Sequence, residues 1–269
     1  MKFSGNISSL FSCFVFLCLF SCSEKEEPSA ASPVQVTKCV PLSDVTIYPK
    51  SVHYDSTEYI YESNNRLDKF IAKYSSTDIV DIIYNQNGSI SQILDGNGTV
   101  FEQRKYGATG KLDSIIYLTN NPLGKAVYAK IMEYNNVGLL KRINTVAPPG
   151  INMEPHYITF TYNAAGLIAT DSIFDIIGND TILNNTGEYQ YDNKIGLYDY
   201  GFPFGTSNEM YIFFHYKHNI TSEKRTYRNG RTNLVTFDYQ YNSLDYPIEI
   251  KMYNRGTLIR KTTIEYSCF

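Results

Sequence analysis

The chain has 269 residues and a formal net charge of −3, with 43% hydrophobic and 19% charged residues. A charge this mild, without a stripe of Lys and Arg, speaks against a protein that binds nucleic acid. The aromatic content is unusual, because 24 Tyr and 15 Phe occur with no Trp. Tyr favours strands and carries a polar group at the end of an apolar ring, so this composition favours sheets whose rings lie at a wet boundary.

The first element in chain order is a targeting segment. Lys2 precedes an uncharged run from Leu10 to Phe20, which is too short to be a transmembrane helix. The run ends in Leu19-Phe20-Ser21-Cys22, which resembles the lipobox of bacterial lipoproteins. That resemblance implies a signal peptide over residues 1–21 and a lipid on Cys22, so that the membrane is the first expected partner. An ordinary secretory peptide with an incidental cysteine is the alternative.

The residues after Cys22 predict a surface location. Ser23-Glu24-Lys25-Glu26-Glu27 resembles the acidic export tag of Gram-negative lipoproteins displayed on the outer face of the outer membrane. Residues 22–38 are predicted to be a lipid anchor and flexible linker, since Pro28 to Pro33 has linker composition. We therefore expect an outer-membrane, lipid-anchored protein on the extracellular face. A solvated linker in a protein that faces the periplasm is the other interpretation.

Two cysteines remain in the region that is predicted to fold. Cys39 lies near its beginning and Cys268 near its end. Disulfides persist in exported proteins, so we predict that these two residues are bonded. Two unpaired thiols are the alternative.

A short phrase recurs along the chain: Tyr, a turn rich in Asn, Asp and Gly, and then a β-branched residue or Leu. Its clearest copies are Tyr134–Leu140 and Tyr162–Ile168. The turn residues reverse the chain because Asn and Gly tolerate positive φ. The repeat tyrosines, spaced by 22 to 29 residues, are Tyr61, Tyr84, Tyr106, Tyr134, Tyr162, Tyr191, Tyr216 and Tyr241.

A second set of turns, such as Asp95-Gly96-Asn97-Gly98, lies between these tips. Each repeat therefore contains two strands. Alternation of apolar and polar residues in His156–Tyr162 supports strands. About eight hairpin repeats predict one all-β domain over residues 39–269, an antiparallel up-and-down meander of about sixteen strands. Twist and the liability of open edges should curl this sheet into a barrel or an open roll.

The tyrosine phrase resembles the YD-repeat hairpins of RHS-type proteins. Together with the lipobox and the terminal cysteines, it resembles an uncharacterised bacterial lipoprotein domain family with a porin-like fold, over residues 39–269. That resemblance implies the architecture and no catalytic residues. The repeat tyrosines are expected to form a structural ladder at the strand ends. The alternative is that some of them line a groove or lumen and stack on sugars or apolar ligands.

A membrane channel is a weaker prediction. In the first repeats at least, strands of about seven residues are shorter than the nine to eleven that a spanning strand needs. Glu102–Lys105 and Glu223–Arg225 also place charges on both faces, which is costly against lipid.

Little in the sequence indicates catalysis or metal binding. His215 and His218 fall on opposite faces of a strand, and Asp95–Thr99 lacks the later residues of a calcium loop. Glu188, Asp192 and Asp199 could form a glycosidase pair. We expect the protein to bind no metal or cofactor and to have no enzymatic activity. Its domain is predicted to be a binding or scaffold domain of a lipoprotein, with a glycan, a lipid or an envelope protein as its ligand. A carboxylate-dependent glycan hydrolase and an outer-membrane channel are the alternatives.

Overall fold

Antiparallel pairing of successive strands closes the chain into a barrel. The structure is a computed structural model that describes residues 38–118, 126–147, 155–197 and 217–269. The strands are β1 (Cys39–Ile47), β2 (Tyr54–Tyr61), β3 (Leu67–Lys73), β4 (Thr77–Tyr84), β5 (Ile90–Asp95), β6 (Val100–Tyr106), β7 (Leu112–Leu118), β8 (Ala126–Tyr134), β9 (Leu140–Val146), β10 (His156–Tyr162), β11 (Ile168–Ile177), β12 (Asp180–Tyr191), β13 (Ile220–Tyr227), β14 (Thr232–Tyr241), β15 (Pro247–Asn254) and β16 (Thr257–Cys268).

Each strand pairs with the strand before it, and β16 returns to pair with β1. The prediction of an all-β meander of about sixteen strands is therefore confirmed, and the sheet closes as a barrel instead of an open roll. The described residues contain no helix long and apolar enough to cross a membrane. The signal peptide, Cys22, Tyr216, His215 and Asp199 lie outside the described residues.

The recurring tyrosine phrase folds into a turn that is stabilised by an Asn side chain and a residue at positive φ. In the copy after β10, the Asn163 side-chain oxygen accepts hydrogen bonds from the amides of Ala165 and Leu167. Gly166 follows at φ +76°, a conformation in which a side chain would be strained. The phrase therefore needs a short polar acceptor directly after the tyrosine and a residue that tolerates positive φ three positions later.

The tyrosine-led turns all lie at one end of the barrel, which we call the ring end. The turns of the second set lie at the opposite, far end. The tips at Tyr191 and Tyr216 belong to one connection, because β12 pairs directly with β13 across residues 192–219. The eighth unit is instead the pairing of β16 with β1.

This β16–β1 seam copies the geometry of the hairpins. Tyr266 pairs with Pro41 beside a bulge, as Tyr84 pairs with Ile90 in the hairpin of β4 and β5. Where the other units have a turn, the seam has the two chain ends and a disulfide between Cys39 and Cys268. The disulfide thus takes the place of the eighth turn.

The inner face of the wall is packed with buried side chains. Ile93, Ile115, Ile143 and Ile158 point inward and are at most 1% exposed. Side chains this inaccessible are covered by other protein atoms and not by water in a lumen. The apolar core of the described residues therefore lies inside the barrel.

We expect the disulfide to contribute to stability without defining the topology. In residues 23–269, which contain every strand and both cysteines, replacing Cys39 and Cys268 by Ala should lower the free energy of unfolding by about 4 kcal/mol, because the closed loop of the unfolded chain is long. Urea unfolding followed by circular dichroism measures this difference. A reductant should destabilise the parent chain but not the variant, and equal stability of the two oxidised chains would contradict the prediction.

Candidate functional site

A ring of tyrosine hydroxyls joins neighbouring hairpins at the ring end. Tyr84, for example, donates a hydrogen bond of 2.6 Å from its Oη to the backbone carbonyl of Leu67, which begins the preceding β3. All eight of these bonds measure 2.6–2.9 Å. The donor and acceptor pairs are Tyr61 and Pro41, Tyr84 and Leu67, Tyr106 and Ile90, Tyr134 and Leu112, Tyr162 and Leu140, Tyr191 and Ile168, Tyr239 and Ile220, and Tyr266 and Pro247.

Each phenol extends a strand pair beyond the point at which its backbone pairing ends. The pairing of β3 with β4 ends at Lys69 and Asp81, and the hydroxyl of Tyr84, three residues further along, reaches the Leu67 carbonyl. The same spacing recurs in all eight pairs. At the ring end, adjacent strands are therefore joined alternately by a covalent connection and by a phenol.

Tyr239 is a member of the ring that the repeat phrase did not single out. Most tyrosines both begin a turn and bond to the preceding hairpin, but β14 divides these roles between two residues. Tyr241 pairs with Pro247 beside the turn bulge, and its hydroxyl donates to a carboxylate oxygen of Asp192. Tyr239 makes the ring bond to Ile220. The sequence signal was the second tyrosine two residues earlier, on the same face of the strand.

Side chains from the preceding turn cover the faces of some ring tyrosines. The Arg66 guanidinium lies 4.2 Å from the centroid of the Tyr84 ring. The Lys111 ammonium lies 5.0 Å from the centroid of Tyr134 and donates to the Gly138 carbonyl. Such contacts between a cation and a ring contribute about 0.5–1 kcal/mol each at exposed sites.

The environment of the ring keeps its phenols protonated. Burial is the largest cause in each case and raises the pKa of Tyr84 and of Tyr162 to about 12. Burial also raises the pKa of Tyr61, Tyr191 and Tyr266. The ring hydroxyls therefore remain hydrogen-bond donors throughout the physiological pH range, as their bonds to the carbonyls require.

A buried polar network lies on the inner face beyond the ring. The Arg225 guanidinium contacts Asp171 Oδ2 at 3.3 Å and donates to Asn185 at 2.5 Å and to the Tyr189 hydroxyl at 2.8 Å. Asp171 is fully buried. Burial raises the pKa of Asp171, and the charge of Arg225 offsets part of this rise.

Gly187 makes room for this network. A Cβ at this position would lie 2.2 Å from Asp171 Oδ1 and 2.9 Å from Arg225 Nη2. No larger residue fits without displacing the ion pair. The network therefore ties β11, β12 and β13 together from inside, which is a structural role.

The outer face of the barrel carries ion pairs between neighbouring strands. Lys69 contacts Asp81 at 3.0 Å between β3 and β4, and Lys224 contacts Glu188 at 3.1 Å between β12 and β13. Further ion pairs join Lys73 to Glu58 and Glu249 to Lys251 and Lys261. Charged pairs thus occur on the outward face of both halves of the sheet.

The carboxylates considered for hydrolysis have separate surroundings. Glu188 points outward to its partner Lys224. Asp192 accepts hydrogen bonds from the backbone and side-chain amides of Asn219 and from the hydroxyl of Tyr241. Asp192 therefore closes the long connection between β12 and β13, and the described residues do not bring it into a pair with Glu188.

The histidines are likewise dispersed. His53 is exposed in the turn between β1 and β2, and His156 lies on the inner face of β10. His218 Nδ1 lies 2.9 Å from the carbonyl oxygen of Lys194. Among the described residues, no group of His, Cys, Asp and Glu side chains has the arrangement of a metal site.

Comparison with known proteins gives a similarity of fold. No family model matches the chain, and no curated protein matches it. A solved structure of a porin-like protein from Bacteroides uniformis aligns with a TM-score of 0.54 at 13% identity, covering 85% of this chain and 98% of that one. A porin-like protein from Bacteroides vulgatus aligns with a TM-score of 0.46 at 12% identity, over 84% and 98% of the two chains. The likeness to the first shows the fold alone.

Removal of one ring hydroxyl should weaken the barrel. Replacing Tyr134 by Phe removes the donor to the Leu112 carbonyl and should lower the free energy of unfolding by about 1 kcal/mol. Urea unfolding of residues 23–269 measures the difference. Tyr54, which is 62% exposed, supplies the control, since Tyr54→Phe should be nearly neutral. Equal effects of the two substitutions would show that the ring bond contributes nothing.

The raised pKa values also predict unfolding by alkali. A phenol whose pKa is raised by folding contributes stability that is complete below the unfolded value of about 10. This contribution is lost as the pH rises toward the folded value, which is about 12 for Tyr84 and Tyr162. We therefore expect stability to fall above a pH of about 10, with phenolate absorbance appearing together with the loss of strand signal. Ionisation of the ring tyrosines while the barrel stays folded would contradict this expectation.

Proposed function

We propose that this protein is a lipid-tethered barrel of the bacterial outer membrane, on its extracellular face, and that it serves as a binding or scaffold module and not as an enzyme. The lipid is attached at Cys22, and the barrel stands beside the membrane. Its ligand class is a lipid, a glycan or another envelope protein.

The ion pairs on the outer face of the wall are the observation that carries this proposal. A barrel that spans a membrane has an apolar outer band and a polar interior. Here the interior is filled by buried isoleucines together with the ion pairs of Glu102 with Arg104 and of Asp171 with Arg225, and outward positions carry ion pairs such as Lys69 with Asp81 and Lys224 with Glu188. Charged pairs on the outside are compatible with water and unfavourable in lipid. A lipid on Cys22 then provides the attachment to the membrane that such a wall cannot provide.

The arrangement of the tyrosines favours binding elsewhere than in the barrel interior. Eight phenols at the ring end already donate to backbone carbonyls, and the inner face beyond them is filled by buried apolar side chains and by polar pairs such as Glu102 with Arg104 and Asp171 with Arg225. Exposed turns and the outer wall are thus the surfaces left for a partner. The separate surroundings of Glu188 and Asp192 give no support to the hydrolase alternative.

The test compares the full chain with an unlipidated form, residues 23–269 exported behind an ordinary cleavable signal peptide. In a Gram-negative host, the full chain should incorporate labelled palmitate and stay with the outer membrane through a high-salt wash. The unlipidated form should appear in the soluble fraction of the envelope. Digestion of the full chain by protease added to intact cells would support the extracellular orientation.

Cys13 offers a matched control, because Cys13→Ser makes the same chemical change inside the predicted signal peptide and should leave palmitate incorporation intact. Cys22→Ser should abolish it. If the unlipidated form stays in the outer membrane after the salt wash, the tethered-barrel proposal is wrong and an embedded channel replaces it.

A further inference from the structure

Arginines and apolar side chains meet at the far end, on the strands and turns from β12 to β16. Arg228 and Arg231 lie in the turn between β13 and β14, Arg255 lies between β15 and β16, and all three are exposed. Two exposed apolar residues, 42–44% accessible, accompany them: Leu183 and Leu234. We call these five residues the far-rim patch.

Backbone hydrogen bonds hold these turns next to one another. The Arg228 amide donates to the carbonyl of Asn184, the neighbour of Leu183, at 2.8 Å. The Arg255 amide donates to the Leu234 carbonyl at 3.0 Å, and Arg255 Nη2 donates to the Thr232 carbonyl at 2.9 Å. These five residues therefore lie next to one another on one rim of the barrel instead of being scattered over the surface.

The arginines of this patch are not neutralised locally. Within the described ranges, no Asp or Glu forms an ion pair with Arg228, Arg231 or Arg255, whereas cations of the outer wall such as Lys69 and Lys224 have carboxylate partners. Asp180, in the neighbouring turn between β11 and β12, is an exposed carboxylate of this rim, so the patch still has a local excess of positive charge on a chain whose net charge is −3.

Arg255 also occupies a position that suits another residue better. Its φ is +50° and that of the following Gly256 is +78°, the geometry of a two-residue hairpin turn in which Asn-Gly is strongly preferred. An arginine in the left-handed region costs stability. Turn formation alone therefore does not explain the choice of Arg at this position.

We propose that the far-rim patch docks on the anionic, phosphate-bearing headgroups of the membrane to which the chain is tethered. Guanidinium groups bind phosphate in a bidentate manner, and apolar side chains beside them can enter the interface. The chemistry of the patch, with cations and exposed aliphatic residues together, fits a lipid surface better than a soluble anion. This inference rests on the proposed tether at Cys22.

The length of the leash permits this contact. Barrel residues begin at the ring end with Lys38, so residues 22–37 can span at most about 50 Å. The longest strands have 12 residues, which corresponds to about 40 Å before tilt. The far end can therefore turn toward the same membrane, and the lipid holds the patch at a high local concentration of headgroups.

Vesicle sedimentation with the unlipidated form tests the inference. Residues 23–269 should bind vesicles of phosphatidylcholine mixed with phosphatidylglycerol, release at high salt, and bind vesicles of phosphatidylcholine alone far less. Replacing Arg228, Arg231 and Arg255 together by Gln should weaken binding on the order of a hundredfold, because each arginine is expected to contribute about a fivefold increase in affinity for an anionic surface.

Two controls separate docking from folding and from net charge. Lys105, Lys141 and Lys217 are exposed elsewhere, and their joint replacement by Gln makes the same charge change with little expected effect on binding. Arg255→Asn should weaken binding about fivefold with little change in the melting temperature, because the better fit of Asn to the turn offsets the lost hydrogen bond to the Thr232 carbonyl.

Equal binding by the arginine and lysine triple variants would overturn the inference. A second result would also overturn it: the parent chain does not bind vesicles, and inorganic phosphate stabilises the parent chain but not the arginine variant. That result would indicate that the patch binds a soluble anion. Either result leaves the tether at Cys22 unaffected, since palmitate incorporation tests that separately.

Discussion

Closure of the ring end is the constraint on which the rest of this structure depends. Sixteen strand ends meet there, and each is joined to one neighbour by a covalent connection and to the other by a phenol. The covalent connections are seven chain segments and the disulfide of Cys39 with Cys268. Because the phenols reach beyond the last backbone pairs, they fix the separation of adjacent hairpins where the sheet would otherwise splay. A tyrosine lost anywhere opens one joint of a closed circle, which explains why the same residue type recurs at this position.

Much of this architecture could be predicted because the information is local. Tyr162, Asn163 and Gly166 lie within five residues, and their side-chain acceptor and positive φ specify a reversal without reference to the rest of the chain. Closure of the sheet into a barrel could not be predicted from local sequence in the same way. A barrel and an open roll differ only in whether β1 finds β16, and that contact joins residues separated by 229 positions. The repeat specifies seven of the turns at the ring end, whereas the eighth unit is the seam between β16 and β1, which determines whether the strands form a circle.

The inner face was the least predictable part of the molecule. The ion pair of Asp171 with Arg225 joins residues 54 positions apart, and each lies in a strand whose sequence alternates like any other. Division of the ring role between Tyr239 and Tyr241 has a similar cause, since both tyrosines share a face and only the registers on either side of β14 decide between them. Registers depend on both neighbouring strands, so a single strand's sequence cannot reveal which tyrosine bonds to Ile220.

The two ends of the barrel are therefore under different constraints. At the ring end, each unit must present one tyrosine hydroxyl and one acceptor carbonyl in a fixed register, which leaves little freedom for the residues between them. At the far end, the turns need only reverse the chain, and they range from Arg255-Gly256 to the longer connection between β1 and β2. Because side chains there can change without breaking the ring, that end is where a barrel of this design can acquire a partner. Arg255 at φ +50° illustrates this freedom, since a residue that is unfavourable in the left-handed region is accepted there and donates to the Thr232 carbonyl.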